Sequence, residues 1–309
     1  MATVESIIKT PKWPDFFLVG AMKAGTTSLH RYLSAHPEIS MSEPKEPGYF
    51  SRDDRFKKGA DWYQSHFASA SVDQIWGDSS TCYSRRPIYQ NSADRIYEVN
   101  PNAKILYIVR DPVLRAYSHY KHRMEETVIH GGKTVTYKEF LLSDNEILIS
   151  GKYYYQIKKY YDLFGRKNVH ICNFDDLIKN PIIVMDYIHR FLDVTVGLPT
   201  GKIALHNNSS GSSLLDSAAN KVIDAYRHNP VVSFIVNLTP VKLRRNGRSY
   251  MKSVLHSSNK FKRKSLNSIE SLPCPDSGDV EFLAQYYRED LISLKNLVDI
   301  DMSAWVSFR

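Results

Sequence analysis

The chain has 309 residues, 41 Lys and Arg against 33 Asp and Glu, and 42% apolar residues. A chain of this length buries about three quarters of its unfolded surface, and the composition excludes a disordered or membrane-spanning protein. The three cysteines are far apart and predict neither a disulfide framework nor a metal cluster. The first residues include Glu5 and no long apolar run, so we expect no secretory signal and a cytoplasmic location.

Apolar runs alternate with helical periodicities along the chain. We predict strands at 15–20, 103–109 and 169–174, a strand and turn at 76–84, and helices at 26–35, 88–99, from 112 onward, 153–164, 181–192, 216–228 and 279–297. This alternation predicts an α/β fold with a central, mostly parallel sheet flanked by helices. We expect one domain over 1–309, with an N-terminal arm at 1–14 and a mobile substrate or cofactor lid at 197–264.

The positive charge is concentrated late in the chain. Nine Lys and Arg and no acidic residue lie between Lys242 and Lys264, and without them the net charge of +8 would become −1. A clustered patch of this kind indicates either one anionic partner or a solvated loop. Nucleic acid is not expected as a partner, because no helix-turn-helix, zinc-finger or RNP pattern accompanies the patch.

The segment 20–28 resembles a phosphate-binding loop. It has the sequence Gly-Ala-Met-Lys-Ala-Gly-Thr-Thr-Ser and joins a predicted strand to a predicted helix. Backbone N–H groups at a helix start favour an anion, and Lys23 adds a positive charge. A nucleoside-triphosphate loop would place the lysine after the last glycine, whereas Lys23 precedes Gly25 by two residues. The pattern predicts a phosphate site without a magnesium-bound γ-phosphate, and a plain helix cap is the alternative.

A second set of polar residues follows the strand 103–109. Arg110 stands at its carboxyl end, where open α/β sheets bind their ligands, and Ser118 lies eight residues later. A guanidinium and a hydroxyl suit a phosphate group. The alternative is a structural ion pair between Arg110 and Asp111. Taken with the loop 20–28, these residues predict a nucleotide that is phosphorylated at two separate positions.

Together these motifs resemble the PAPS-dependent sulfotransferases, PAPS being 3′-phosphoadenosine 5′-phosphosulfate. The likeness is to the branch of heparan-sulfate sulfotransferase domains and bacterial small-molecule enzymes, and it covers residues 15–305. The loop from Lys23 to Ser28 matches the 5′-phosphosulfate loop of that family, and Arg110 with Ser118 matches its 3′-phosphate motif. The resemblance implies a P-loop-type three-layer fold and transfer of a sulfuryl group from PAPS.

The resemblance also implies roles for individual residues. Lys23 would stabilise the leaving nucleotide, and Glu46, in the segment 45–50, would be the general base. The implied cofactor-binding residues are Lys23, Ala24, Gly25, Thr26, Thr27, Ser28, Arg110, Ser118, Tyr153, Lys262, Arg263 and Lys264. No metal is expected, because lysine and backbone dipoles would stabilise the leaving group. Three histidines are rival bases, since cytosolic sulfotransferases use histidine: His36, His119 and His122.

Two positions depart from the family pattern. Asp78 stands where heparan-type relatives carry a lysine, which suggests a small neutral or cationic acceptor, for example a guanidinium alkaloid in natural-product tailoring. Glu46, Asp78 and Thr81 are then the expected substrate residues, although Asp78 is equally explained as a turn residue or helix cap. Lys152 replaces the adenine-stacking tryptophan, which leaves the adenine contact open.

Three other functions remain open from the sequence. They are a glycan O- or N-sulfotransferase, an ATP-dependent small-molecule kinase with a variant phosphate loop, and a non-catalytic binder that uses the basic patch. No membrane partner is expected, and the sequence does not indicate an oligomeric state.

Overall fold

The computed structural model describes residues 11–143, 145–197, 272 and 275–308. The chain divides into two compact units; among the described residues the first holds 11–119, 141–143, 145–197 and 275–308, and the second holds 120–140 and Leu272. The predicted helix at 216–228, the basic patch and the predicted lid beyond Gly197 lie outside the described residues. The single-domain organisation stays a prediction.

The first unit is built on a five-stranded sheet. Its strands are β1 (Phe16–Gly20), β2 (Ile39–Met41), β3 (Ile75–Ser79), β4 (Lys104–Val109) and β5 (Val169–Asn173), in the spatial order β2-β3-β1-β4-β5. Every pairing is parallel. Strand β1 is buried along its whole length, as is typical of a central parallel strand covered by helices on both faces. The prediction of a parallel α/β sheet flanked by helices is confirmed.

The described helices connect these strands or follow the last of them. They are α1 (Thr26–Ser34), α2 (Asp53–Phe56), α3 (Gly59–Gln64), α4 (Ser92–Val99), α5 (Pro112–Ile129), α6 (Tyr137–Ser143), α7 (Asn145–Ile149), α8 (Tyr153–Phe164), α9 (Phe174–Lys179), α10 (Pro181–Leu192) and α11 (Ser277–Leu297). Short 3₁₀ turns cover Ser65–Phe67, Thr81–Ser84, Arg166–Asn168 and Val306–Phe308. None of the helices in the described part of the chain is long and apolar enough to cross a membrane.

One predicted helix is shorter in the structure: the helix predicted at 88–99 begins at Ser92. The strand and turn predicted at 76–84 are the strand β3, which ends at Ser79, and the 3₁₀ turn Thr81–Ser84. Strand β2 and the helices α2 and α3 were not predicted, because segments of three to six residues are too short to show a periodicity.

Candidate active site

The loop after β1 presents main-chain N–H groups at the carboxyl edge of the sheet. Ala21 N donates to Ile108 O at 2.8 Å and Ala24 N to Ala21 O at 3.1 Å, which fixes the loop between β1 and β4. Gly25 is the N-cap of α1 with φ +99°, and within the described residues no side chain caps this helix. The first-turn N–H groups are therefore open to an anion, as the phosphate-loop interpretation requires.

Phe174 lies against both predicted phosphate motifs. It is the first residue of α9, directly after β5. A Cβ added to Gly25 would lie 2.6 Å from Cδ2 of Phe174, so a side chain at Gly25 would collide with the ring. The Arg110 guanidinium lies 4.8 Å from the centre of the same ring, within the range of a cation–π contact. Phe174 was missed from the sequence, although its place after the strand beside β4 could have indicated it.

Arg110 joins the two predicted phosphate motifs. Its Nη1 donates to the main-chain oxygen of Lys23 at 3.3 Å, across 87 residues of sequence. The hydroxyl of Tyr153 donates to the main-chain oxygen of Arg110 at 2.6 Å, and the Tyr153 ring is wholly buried. Burial lowers the pKa of Arg110, but a guanidinium remains protonated in proteins. The structure thus brings together Lys23, Arg110 and Tyr153, with Tyr153 bonded to the main chain of Arg110.

Asp111 has a structural role of its own. Its Oδ1 accepts from the N–H groups of Val113 at 2.8 Å and Leu114 at 3.3 Å at the start of α5. Its Oδ2 accepts from Ser307 N at 3.2 Å. Among the described residues no ion pair joins Arg110 to Asp111, and the carboxylate accepts from these main-chain donors instead. Ser118 lies farther along α5, where it is partly buried.

The loop that carries Glu46 is attached to the end of β3. Glu46 N donates to Ser79 O at 3.1 Å, and the Thr81 hydroxyl donates to Glu46 Oε2 at 3.3 Å. The other carboxylate oxygen pairs with Lys45 Nζ at 2.5 Å, and 42% of the Glu46 side chain is exposed. Glu46 and Thr81, both predicted substrate residues, are thus in contact, and the carboxylate is open to solvent.

Lys23 and Glu46 share an unusual backbone conformation. Their φ angles are +66° and +64°, in the left-handed region that costs a non-glycine residue about 1–2 kcal/mol. Such conformations persist only where surrounding contacts impose them, and they are concentrated at functional sites. The two residues predicted to act in catalysis are therefore both held by their loops in disfavoured geometry.

The prediction that Asp78 faces the acceptor is wrong. Its side chain has no exposed surface. Oδ2 accepts hydrogen bonds from the hydroxyls of Tyr63 and Tyr83, and Oδ1 accepts from Ser80 Oγ, each at 2.7 Å. Burial raises the pKa of this carboxyl, while the three donors favour its ionised form. Asp78 is buried because its strand, β3, lies between β1 and β2 in the sheet. Three hydroxyls donate the hydrogen bonds that its carboxylate needs there.

The remaining predicted residues are two of the rival histidine bases, Lys152 and the basic residues 262–264. His36 is buried, with Nε2 2.8 Å from Thr195 O and Nδ1 accepting from Glu38 N at 3.2 Å, so both ring nitrogens have structural partners. His119 is buried in α5. Lys152 Nζ lies 4.4 Å from the Tyr286 ring centre, beside a cleft of about 640 Å³. Lys262, Arg263 and Lys264 lie outside the described residues.

Across the described ranges, no group of three or more His, Cys, Asp or Glu side chains is placed to hold a metal ion. That the reaction needs no metal stays a prediction.

Known proteins are similar in sequence to this chain. Residues 13–267 match the family described as "Sulfotransferase domain". The chain is 27% identical over 203 residues to the bifunctional heparan sulfate N-deacetylase/N-sulfotransferase 2 of Bos taurus (59% of this chain, 22% of that protein). It is 25% identical over 189 residues to the heparan sulfate glucosamine 3-O-sulfotransferase 5 of Mus musculus (59% and 54%). The chain thus spans about a fifth of the length of the first relative and about half of the length of the second.

A solved structure covers almost the whole chain. The sulfotransferase from Alicyclobacillus acidocaldarius aligns with 95% of this chain and 99% of its own, with a TM-score of 0.64 and 24% sequence identity. At this identity the likeness establishes the fold alone.

Proposed function

We propose, since the chain belongs to the sulfotransferase-domain family, that it transfers the sulfuryl group of PAPS to a hydroxyl or nitrogen of a small acceptor. The observation that carries this proposal is the 3.3 Å bond from Arg110 to the main chain of Lys23. It places a guanidinium beside an uncapped helix start, and so provides two neighbouring places for anions. A nucleotide with phosphates at both its 3′ and 5′ positions matches that pair.

The donor would be held at two points. The N–H groups at the start of α1, with the hydroxyls of Thr26, Thr27 and Ser28, would hold the 5′-phosphosulfate. Arg110 and Ser118 would hold the 3′-phosphate, which distinguishes PAPS from ATP. The ring of Phe174 supports this arrangement, because it contacts the Arg110 guanidinium and leaves no space for a side chain at Gly25.

The transfer itself would be an in-line displacement, in which positioning and charge stabilisation supply most of the rate. The acceptor oxygen or nitrogen forms a bond to sulfur while the bridging bond from sulfur to the 5′-phosphate oxygen breaks. The acceptor proton passes to Glu46, and Lys23 stabilises the charge that develops on the leaving nucleotide. The exposed Glu46 carboxylate and its bond from Thr81 support this assignment.

The burial of Asp78 removes the argument for a positively charged acceptor. The argument for a cationic acceptor depended on that carboxylate, which three hydroxyls occupy. We therefore propose a small hydroxyl- or amine-bearing acceptor without requiring a positive charge. Natural-product tailoring and a cytoplasmic location stay part of the proposal. Heparan sulfate appears in the names of the matched relatives, and it is the acceptor of those proteins, not one that we propose for this chain.

Calorimetry with PAP, the desulfated nucleotide, tests the donor. PAP, ATP and AMP would each be titrated into the wild type, Arg110→Ala and the control Arg190→Ala, with and without magnesium. Arg190 is exposed on α10, away from the carboxyl edge of the sheet. We expect micromolar or tighter PAP binding without metal, weakened about 100-fold in Arg110→Ala, because a charge-assisted contact contributes up to about 3 kcal/mol. Equal affinity for ATP, or a magnesium requirement, would favour a kinase instead.

A further inference from the structure

The loop from Glu46 to Phe50 is held at four points by the end of β3 and the residues that follow it. Two contacts involve Glu46 itself, which donates from its N–H to Ser79 O and accepts the Thr81 hydroxyl. The other two involve main-chain N–H groups: Gly48 N donates to Ser80 Oγ at 3.0 Å, and Phe50 N to the Tyr83 hydroxyl oxygen at 3.5 Å. The conformation of the loop that carries Glu46 therefore depends on how the hydroxyls of Ser80 and Tyr83 are oriented.

Asp78 orients both of these hydroxyls. A hydroxyl has one proton to donate, and an ionised carboxylate can only accept. Ser80 and Tyr83 both donate to Asp78 at 2.7 Å, so each of them presents a lone pair to the loop. Those lone pairs accept the N–H groups of Gly48 and Phe50. The hydroxyl of Tyr63 supplies the third donor to Asp78, from α3.

We propose that Asp78 is a positioning residue for the general base: it fixes the hydroxyl protons of Ser80 and Tyr83 so that their oxygens hold the loop that carries Glu46. The role assigned to Glu46 rests on the proposed function, whereas the network itself does not. Asp78 is fully buried and cannot touch the acceptor, so its effect on the loop passes through the hydroxyls of Ser80 and Tyr83. The left-handed φ of Glu46 is the kind of conformation that such a network must impose.

Hydrogen exchange tests the network without any acceptor. Ser80→Ala removes one of the two hydroxyls, and Asp78→Asn replaces the acceptor-only group by an amide of the same shape. Ser92→Ala is the matched control, because Ser92 is also fully buried and its hydroxyl donates to Tyr89 O at 3.1 Å in a different part of the first unit. We expect amide exchange over 43–52 to be about tenfold faster in Ser80→Ala and Asp78→Asn than in the control. Unchanged exchange in folded Asp78→Asn would overturn the proposal, because Ser80→Ala by itself removes the acceptor of the Gly48 N–H.

Turnover tests whether the network acts through Glu46. The probe is release of PAP from PAPS, measured with water and with a panel of small alcohols and amines as acceptors. We expect Ser80→Ala to lower kcat about tenfold while PAP affinity stays within about twofold, because the donor contacts are elsewhere. In a Glu46→Gln background, Ser80→Ala should cause no further loss. An equal loss in both backgrounds would overturn the proposal.

The two proposals fail differently. If the wild type does not bind PAP, the proposed function is wrong, while the exchange rates over 43–52 still decide whether Asp78 holds the loop. If PAP binds but the exchange rates do not change, the positioning role is wrong and the donor assignment stands.

Discussion

Arg110 donates a hydrogen bond to the main-chain oxygen of Lys23, with 3.3 Å between Nη1 and the carbonyl. This bond uses one of the five N–H donors of the guanidinium and leaves the charge available to a ligand. It also links the loop after β1 to the residue after β4, two strands that are neighbours in the sheet. A change that moves Arg110 is therefore expected to disturb the loop around Lys23 as well.

The hydroxyl of Tyr153 provides the first test of this link. Tyr153→Phe removes the 2.6 Å bond to Arg110 O and leaves that carbonyl without its donor. We expect PAP affinity to fall about three- to tenfold, corresponding to about 1 kcal/mol, with the fold retained. Calorimetry with PAP measures the loss, and Tyr155→Phe is the control because Tyr155 is 40% exposed on the same helix. Equal affinities for the two variants would contradict a positioning role for Tyr153.

Gly25 provides the second test, because it combines a left-handed backbone with a close neighbour. In Gly25→Ala, the new Cβ would lie 2.6 Å from the Phe174 ring, and the φ of +99° would add strain. We expect a loss of about 2–4 kcal/mol in the free energy of unfolding, together with much weaker PAP binding. Urea denaturation measures the first effect and calorimetry the second.

The double variant Gly25→Ala, Phe174→Leu separates these two causes. The smaller, flexible leucine should relieve the collision but not the backbone strain, so we expect part of the unfolding free energy to return. Recovery of none of it would show that the backbone conformation alone accounts for the loss at Gly25.

Much of the fold and the donor site could be predicted because their signals are local. The strand β4 is a continuous apolar run, and the helices α8 and α10 show clear periodicity and begin and end where the sequence predicts. Lys23 and Arg110 were identified because each follows a strand, and parallel strands place such positions at one edge of the sheet. Their direct contact follows from the order of the strands in the sheet, and local sequence patterns do not indicate that order.

Asp78 and Phe174 show where local patterns fail. An aspartate three residues before a 3₁₀ turn is equally compatible with a surface cap and with a buried carboxylate. The three hydroxyls that satisfy it come from Tyr63, Ser80 and Tyr83, and only the packing of α3 against the sheet brings Tyr63 to it. Phe174 was missed for a related reason, because a phenylalanine after a strand most often belongs to the core.

Glu46 provides the third prediction, on catalysis. Glu46→Gln keeps the shape of the side chain but removes the base, so we expect kcat for PAPS turnover to fall about 100- to 10,000-fold with PAP affinity nearly unchanged. The control is Glu43→Gln, an exposed glutamate three residues earlier in the same loop. Steady-state turnover with the acceptor panel measures kcat, and calorimetry measures PAP. A similar kcat for the two variants would mean that another group accepts the proton.

A buried histidine pair provides the last prediction, on stability against pH. His189 has no exposed surface, and neither of its ring nitrogens has a hydrogen-bond partner among the described residues. Its ring lies 4.5 Å from that of His36. Burial, with a smaller contribution from His36, lowers the pKa of His189 from 6.5 to about 4, while Asp186 and Glu38 oppose the shift. The folded protein therefore resists a proton that the unfolded chain accepts below about pH 6.5.

Stability should accordingly fall as the pH is lowered from about 6.5 to about 4, because the unfolded chain binds the additional proton across that range. We expect His189 to account for about 1–2 kcal/mol of this fall, and His189→Phe, which keeps a planar ring against His36, to be less sensitive to acid by that amount. Urea denaturation at pH 7, 6, 5 and 4 measures the free energy of unfolding of both proteins. The pKa of His30 is also lowered to about 4 by burial, but His30 is present in both, so the difference between the two curves isolates His189. Parallel curves would show that His189 is protonated as readily in the folded protein as in the unfolded chain, and that its buried ring finds an acceptor for the added proton.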